Sequence, residues 1–282
     1  MRILELTHES VSDARAMGVR FLARHFQRRA PTSCVPIKGI GPVILRNQSS
    51  DITVFRQIFR QGEYDLRPFA QWSSIQMRYR EILQAGRRPL IIDAGANNGA
   101  SAMWFAHQFD RAKVIAVEPE PASAQLCEQN TRRFGVEVIA AAIGSEPGSV
   151  GLINQDQDSY MVATERTSDG DVAVCTMADI IRRNSSECEL FLVKIDIEGF
   201  ESDLFASHTD WVRDAKVIII EPHDWLYPGR RTSRNFQRVL ADHDFDLLIS
   251  GENLIYVRRD ESNTDRKAPP RPPTALVLDP DG

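Results

Sequence analysis

Leu90-Ile91-Ile92-Asp93-Ala94-Gly95-Ala96-Asn97-Asn98-Gly99 carries the strongest structural signal in the chain. An apolar run of strand type ends on a carboxylate and enters a turn with two glycines. A helical pattern follows, with Ala102, Phe105, Ala106 and Phe109 at i, i+3, i+4 and i+7. A second apolar run, residues 114–117, ends on Glu118. Strand, glycine turn, helix, strand and acid form the first half of a doubly wound nucleotide-binding sheet.

The glycine spacing discriminates among nucleotides. A dinucleotide fold wants G-x-G-x-x-G, so that backbone and helix N-terminus approach a pyrophosphate. Here Gly95 and Gly99 are separated by three residues and Asp93 stands at the strand end. A carboxylate there repels a diphosphate and suits a ligand bearing an ammonium and a sulfonium, as S-adenosylmethionine does. Glu118 is placed to accept hydrogen bonds from both ribose hydroxyls. An ordinary βα turn with a surface acid is the plainer reading of the same residues.

Further along, Lys194-Ile195-Asp196-Ile197-Glu198-Gly199-Phe200-Glu201 joins the glycine turn and Glu118-Pro119 in a wider pattern. Together these segments resemble the FkbM-type family of S-adenosylmethionine-dependent methyltransferases, over roughly residues 37–258. The resemblance implies an α/β fold: a class I, Rossmann-like, seven-stranded sheet, mostly parallel with an antiparallel last strand. It implies cofactor contacts at Asp93, Gly95, Ala96, Asn97, Asn98, Gly99, Ser101, Glu118, Pro119 and Ala142. The acceptor it implies is a small-molecule hydroxyl, on a sugar, a glycolipid or a polyketide-type natural product.

The 282 residues suffice for one large domain with an extension. A net charge of −5 argues against broad nucleic-acid binding, which needs a basic face. Cys34, Cys127, Cys175 and Cys188 are far apart with no C-x-x-C pair, as expected of reduced thiols in a cytoplasmic protein. No apolar run approaches the about 18 residues of a transmembrane helix, and no signal-peptide core is visible. Oligomeric state leaves no trace in the sequence.

Residues 1–86 read as a helical and hairpin extension, 87–259 as the cofactor domain, and 260–282 as a disordered proline-rich tail. In the extension, residues 10–30 form an expected helix, apolar at Val11, Ala14, Phe21, Leu22 and Phe26. Its other side carries Arg15, Arg20, Arg24, Arg28 and Arg29, a solvated face or a weak contact with an anionic membrane surface. A hairpin over residues 37–46 and a Ser50-capped helix over 50–59 are expected next, with Tyr64 either a lid residue or a core tyrosine. Residues 72–84 and 122–134 read as helices. Residues 136–141 read as the third strand, closed by Ala142-Ile143-Gly144 where an adenine ring would lie. Residues 151–154 and 172–175 are short antiparallel strands around a polar loop, 155–170. Strands over 190–195, 217–220, 245–249 and 254–257 complete the sheet.

Ligands of an open α/β sheet lie beyond the carboxyl ends of its strands. There the sequence brings Asp196 and Glu198 after one strand, Glu221 and His223 after the next. A hydroxyl acceptor must lose its proton during attack. His223 is the expected neutral-pH base, with Asp196 orienting it or acting itself, and Glu198 beside it. Asp196, Glu221 and His223 also form an oxygen-and-imidazole set able to hold a divalent ion such as magnesium. Lys194 and Glu201 read as a structural ion pair. The Asn/Asp-Pro-Pro-aromatic segment usual in amide and exocyclic-amine methyltransferases is replaced by Asp196-Ile197-Glu198-Gly199. An NAD-dependent oxidoreductase and a non-catalytic binding protein on the same scaffold are the competing readings.

Overall fold

The computed structural model describes residues 2–26, 30–154, 162–167 and 169–259. The expected proline-rich tail lies outside these residues. Thirteen strands are present among them: β1 (Thr32–Ile37), β2 (Gly41–Arg46), β3 (Arg88–Ala94), β4 (Lys113–Val117), β5 (Glu137–Ile139), β6 (Ala142–Gly144), β7 (Gly148–Asn154), β8 (Val162–Arg166), β9 (Val172–Thr176), β10 (Cys188–Ile195), β11 (Val217–Ile220), β12 (Phe245–Ser250) and β13 (Asn253–Arg258). Seven of them form the central sheet in the order β12-β13-β11-β10-β3-β4-β5. Its pairs are parallel from β11 to β5, while β13 runs antiparallel between β11 and β12. This is the expected seven-stranded α/β sheet, mostly parallel with an antiparallel last strand.

Strands covered on both faces read as continuous apolar runs, because neither face meets water. Leu90, Ile91 and Ile92 are all buried, yet alternation still divides them. Ile91 faces one core with Phe105, Phe191 and Ile219; Leu90 and Ile92 face another with Val193, Ile195 and Ile218. The first core also holds Met17, Phe21, Val35, Val43, Phe55 and Ile58 from the N-terminal segment. The hairpin β1–β2 and the helices around it therefore pack on the sheet itself.

Several local expectations give way to tertiary structure. The N-terminal helix spans Arg2–Met17 and breaks at Gly18 (φ 90°) into a 3-10 helix, Val19–Phe26. Val11, expected inside, is exposed, whereas Asp13 is buried. Arg15 and Arg20 do face solvent; the side chains of Arg24, Arg28 and Arg29 are outside the described set. Ser50 does not cap the next helix, Asp51–Phe55; Ser49 Oγ instead accepts the Asp51 N–H at 3.1 Å. That helix runs on as a π-helical turn, Arg56–Gln61. Tyr64 is a core residue rather than a lid: it is buried against Phe105, with ring centroids 5.4 Å apart.

The third strand is shorter than its apolar pattern. β5 stops at Ile139, and β6 (Ala142 included) leaves for a separate four-stranded sheet of order β6-β9-β7-β8. β7 and β9 are antiparallel, as expected. The polar loop between them contains β8, which adds to β7's free edge despite a polar Thr164-Glu165-Arg166 sequence. Its residues 155–161 lie outside the described set.

One buried charge clamps the N-terminal helix to the rest. Asp13 has no exposed surface and takes Arg56 at 2.8 Å and Arg60 at 3.0 Å. Removing a partner from a buried ion pair leaves the remaining charge uncompensated. Asp13→Ala should therefore lower unfolding free energy by about 3 kcal/mol in urea titrations. Asp65→Ala, which breaks a more exposed pair with Arg67, should cost less than about 1 kcal/mol. Equal effects would show that the Asp13 clamp is dispensable.

Candidate active site

The glycine turn is fixed by contacts that forbid side chains. Gly95 and Ala96 both donate to Val117 O, at 2.9 and 3.1 Å, hanging the turn on the end of β4. Gly95 has φ 80°, and a Cβ there would lie 1.7 Å from the Asp196 carbonyl oxygen. Gly99, at φ 84°, opens the helix Ala100–Gln108, and its Cβ would meet Thr131 at 2.8 Å. Close approach of the Asp196 backbone and of the neighbouring helix explains both glycines.

Asp93 does not line the resulting cleft. It is fully buried, accepts Ser101 Oγ at 2.6 Å, and stands 3.2 Å from Lys194 Nζ. Lys194 also donates to Gly95 O at 2.7 Å and lies 3.4 Å from Asp196. Burial works against its charge, but Asp93 and Asp196 outweigh it and hold the ammonium proton well above the usual lysine range. The expected Lys194–Glu201 pair is thus replaced by Lys194 with Asp93 and Asp196. Asn98 is buried too, donating to Asp51 at 3.0 Å and accepting the Ala100 N–H at 3.2 Å. Ala96 and Ser101 are likewise inside, behind the turn.

The cleft itself encloses about 620 Å³, counting its open mouth. Gly95, Asn97, Glu118, Pro119, Ala141, Ala142 and Ile143 line one part; Thr164, Asp196, Ile197, Glu198 and Phe200 line the other. Each Glu118 carboxylate oxygen accepts one backbone N–H, from Asn97 at 2.7 Å and Glu120 at 2.9 Å. Burial dominates over those bonds and raises its pKa to about 7. Asn97 takes a left-handed backbone (φ 45°). Its Oδ1 accepts a bond from Arg46, whose guanidinium also reaches Ser123 Oγ and forks onto buried Asp51. Sequence reasoning missed Arg46 and Asp51. A charge closing the apolar strand β2 and an acid at a helix start were visible, but nothing tied them to a turn about 50 residues away.

The second charged cluster follows from strand register. β10 and β11 are parallel neighbours with Ile195 opposite Ile220, and Glu221 N donates to Ile195 O at 3.0 Å. Asp196, Glu198, Glu221 and His223 therefore emerge side by side. The His223 side chain is 1% exposed, and its Nδ1 is 2.9 Å from Glu201 Oε1. Its Nε2 lies 3.4 Å from Glu198, 3.6 Å from Asp196 and 3.8 Å from Glu221. Burial opposes a charged ring, but the Glu201 bond and the surrounding carboxylates prevail and raise its pKa to about 9. Without a bound cation these carboxylates favour the protonated ring over the expected neutral base, whereas an ion at Nε2 would displace that proton. Burial, then the charge of Asp196, pushes Glu198 up to about 7 and Glu221 to about 8.

Two left-handed glycines separate steric need from backbone preference. Gly86 (φ 74°) has open space where Gly95 has the Asp196 carbonyl. Gly86→Ala should cost only about 1–2 kcal/mol, the usual left-handed penalty. Gly95→Ala should cost clearly more in the same unfolding assay and abolish S-adenosylhomocysteine binding in calorimetry. Matching costs with binding retained would contradict the tight Gly95–Asp196 approach.

The chain is similar to several known methyltransferases. Methyltransferase sdnD of Sordaria araneosa is 24% identical over 207 residues, 59% of this chain and 77% of its own length. The 2-O-methyltransferase NoeI of Sinorhizobium fredii is 24% identical over 226 residues, 67% of this chain and 90% of its own. Among solved structures, M. capricolum TrmK with S-adenosyl-homocysteine overlays with a TM-score of 0.35 at 8% identity, covering 65% of this chain and 68% of its own. Residues 93–247, more than half of the chain, match the Methyltransferase FkbM domain. The chain belongs to the FkbM family of S-adenosylmethionine-dependent methyltransferases.

Proposed function

We propose that this methyltransferase acts on oxygen, transferring the methyl group of S-adenosylmethionine to a hydroxyl of a sugar or polyketide-type small molecule. One observation carries the reading: a single cleft is lined on one side by Glu118, placed to take a ribose diol, and on the other by the carboxylates Asp196 and Glu198. Glu118 spends one lone pair per oxygen on backbone N–H groups, leaving acceptors for two ribose hydroxyls. Ala141, Ala142 and Ile143 supply small apolar walls for a flat base. Asn97 and Asp196 would face the polar remainder of the cofactor, with Gly95 allowing close approach. Asp93, Asn98 and Ser101 act from beneath, as supports of the turn. When bound, S-adenosylmethionine supplies a methyl group activated on a sulfonium.

The chain's own part is to position an acceptor and take its proton. Glu198 and Asp196 border the cleft and stand beside each other, so either carboxylate can receive the hydroxyl proton as attack proceeds. His223, anchored through Nδ1 by Glu201, stands beside these acids. The relative named a 2-O-methyltransferase supports oxygen as the acceptor atom. So does Asp196-Ile197-Glu198-Gly199 in place of an Asn/Asp-Pro-Pro-aromatic segment. Cys127, Cys175 and Cys188, none of them in a disulfide, support a reducing, cytoplasmic setting.

Incubation with methyl-labelled cofactor and a panel of glycosides and hydroxylated polyketides should give products methylated on oxygen, assigned by mass spectrometry and NMR. Methylation only on nitrogen or carbon would defeat the proposal. Asp196→Asn and Glu198→Gln should reduce turnover, at least one of them by about 10²–10⁴. Wild-type rates in both would remove these acids from the chemistry.

Cofactor affinity should depend on pH through Glu118. The carboxylate form accepts ribose hydroxyls, and its pKa of about 7 means that acid removes it. S-adenosylhomocysteine affinity should therefore fall below pH 7, by up to about tenfold per unit, and be flat above it. Glu118→Gln should flatten the profile and cost about 1.5–3 kcal/mol at pH 8. A pH-independent wild-type affinity would take Glu118 out of the ribose site.

A further inference from the structure

We propose that Asp196, Glu221 and His223 together hold a divalent transition-metal ion, of the Mn²⁺ or Zn²⁺ type, at the carboxyl edge of the sheet beside the cleft. One ligand atom from each residue can be chosen so that all lie within 4.8 Å of one another. A crowd of acids alone would not make a site. The histidine supplies the independent evidence.

His223 is anchored through Nδ1 by Glu201, a side chain with no exposed surface. That bond fixes the ring and aims Nε2 at Asp196, Glu198 and Glu221. Nε2 of this almost wholly buried ring faces Glu198 Oε2, itself a buried oxygen with no hydrogen-bond partner. The carboxylate oxygens nearest Nε2, at 3.4, 3.6 and 3.8 Å, are outside the about 2.7–3.2 Å of a good N–H···O bond. They fall instead near the roughly 3–4 Å that separates atoms sharing an ion about 2.0–2.2 Å away. A ring nitrogen bound by a buried carboxylate while the other faces acids is the second-shell arrangement of a metal-binding histidine.

The donor set selects the ion. Two carboxylates alone would suit magnesium or calcium, but an imidazole shifts preference toward first-row transition ions. Asp196 and Glu221, 25% and 15% exposed, leave a route in. Asp196 also lines the cleft. An acceptor hydroxyl reaching an open coordination position would become more acidic, easing proton transfer to Glu198.

Binding can be read without acceptor or cofactor, so its failure leaves the O-methyl reading intact. Chelator-treated full-length protein is titrated with Mn²⁺, and free ion is followed by electron paramagnetic resonance. One equivalent should bind, Zn²⁺ should displace it at equal concentration, and Mg²⁺ or Ca²⁺ only in large excess. Asp196→Asn and Glu221→Gln should each weaken binding by about tenfold or more, and Glu201→Gln by about 10–100-fold. Circular dichroism and melting temperature check folding, and Asp203→Asn, an acid paired with Arg166 outside the cluster, should bind as wild type. Absence of stoichiometric Mn²⁺, or unchanged affinity in folded Asp196→Asn and Glu221→Gln, would overturn the site. Equal preference for Mg²⁺ and Mn²⁺ would overturn the role given to His223.

Discussion

A single buried ammonium organises the carboxyl edge of the sheet. Lys194 and Asp93 are register partners on neighbouring parallel strands, so their side chains meet by construction. A charge in that interior is tolerable only when paired and hydrogen-bonded. Lys194 satisfies this with Asp93, the Gly95 carbonyl and Asp196. One side chain thereby ties the end of β3, the glycine turn and the residue that leaves β10. The pair's contribution lies in geometry more than in stability, since apolar replacements of buried pairs are often neutral. It fixes where Gly95 and Asp196 stand, and their close approach then excludes any side chain at Gly95.

The electrostatics of the edge follow from an imbalance. Among the described residues, Asp93, Asp196, Glu198, Glu201 and Glu221 face Lys194 and, when it is protonated, His223 as cations. The uncompensated burial is visible in Glu198 and Glu221, whose protons are held to about 7 and 8. A region with excess carboxylate attracts positive charge, whether a sulfonium or a metal ion. It would repel a diphosphate, which is why the glycine spacing and the acids point the same way.

What the chain reveals before folding depends on distance along it. The β3 run, the glycine turn and the seven mostly parallel strands of the sheet were legible because both-face burial writes continuous apolar segments into local sequence. Asp196, Glu221 and His223 were legible because residues just past parallel strands share an edge. Partners were not. Lys194 finds Asp93 across about 100 positions, and Arg46 finds Asn97 across about 50, through register and packing that no local pattern encodes. The second sheet was hidden for another reason. β8 is polar because it lies at an edge, and Ala142 reads as a strand end until the chain turns after Ile139. The orientation of His223 depends on Glu201, whose role required knowing where both side chains pack.

Glu201 joins backbone strain to ring orientation. Its Oε1 accepts from Ile197 N and Gly199 N, both at 3.3 Å, and from His223 Nδ1 at 2.9 Å. The two amides flank Glu198, a non-glycine residue at φ 53°. Such a conformation is costly for a long side chain and persists only where its surroundings impose it. Asn97, at φ 45°, is held likewise by Arg46 and Glu118 on the opposite wall. The two left-handed residues thus border one cleft, each held by a carboxylate that takes a neighbouring or its own amide. Because one oxygen of Glu201 serves both the Glu198 turn and His223, the base candidate and the imidazole cannot shift independently. Movement of either would strip a hydrogen bond from the other, so the cluster is built to act as a unit.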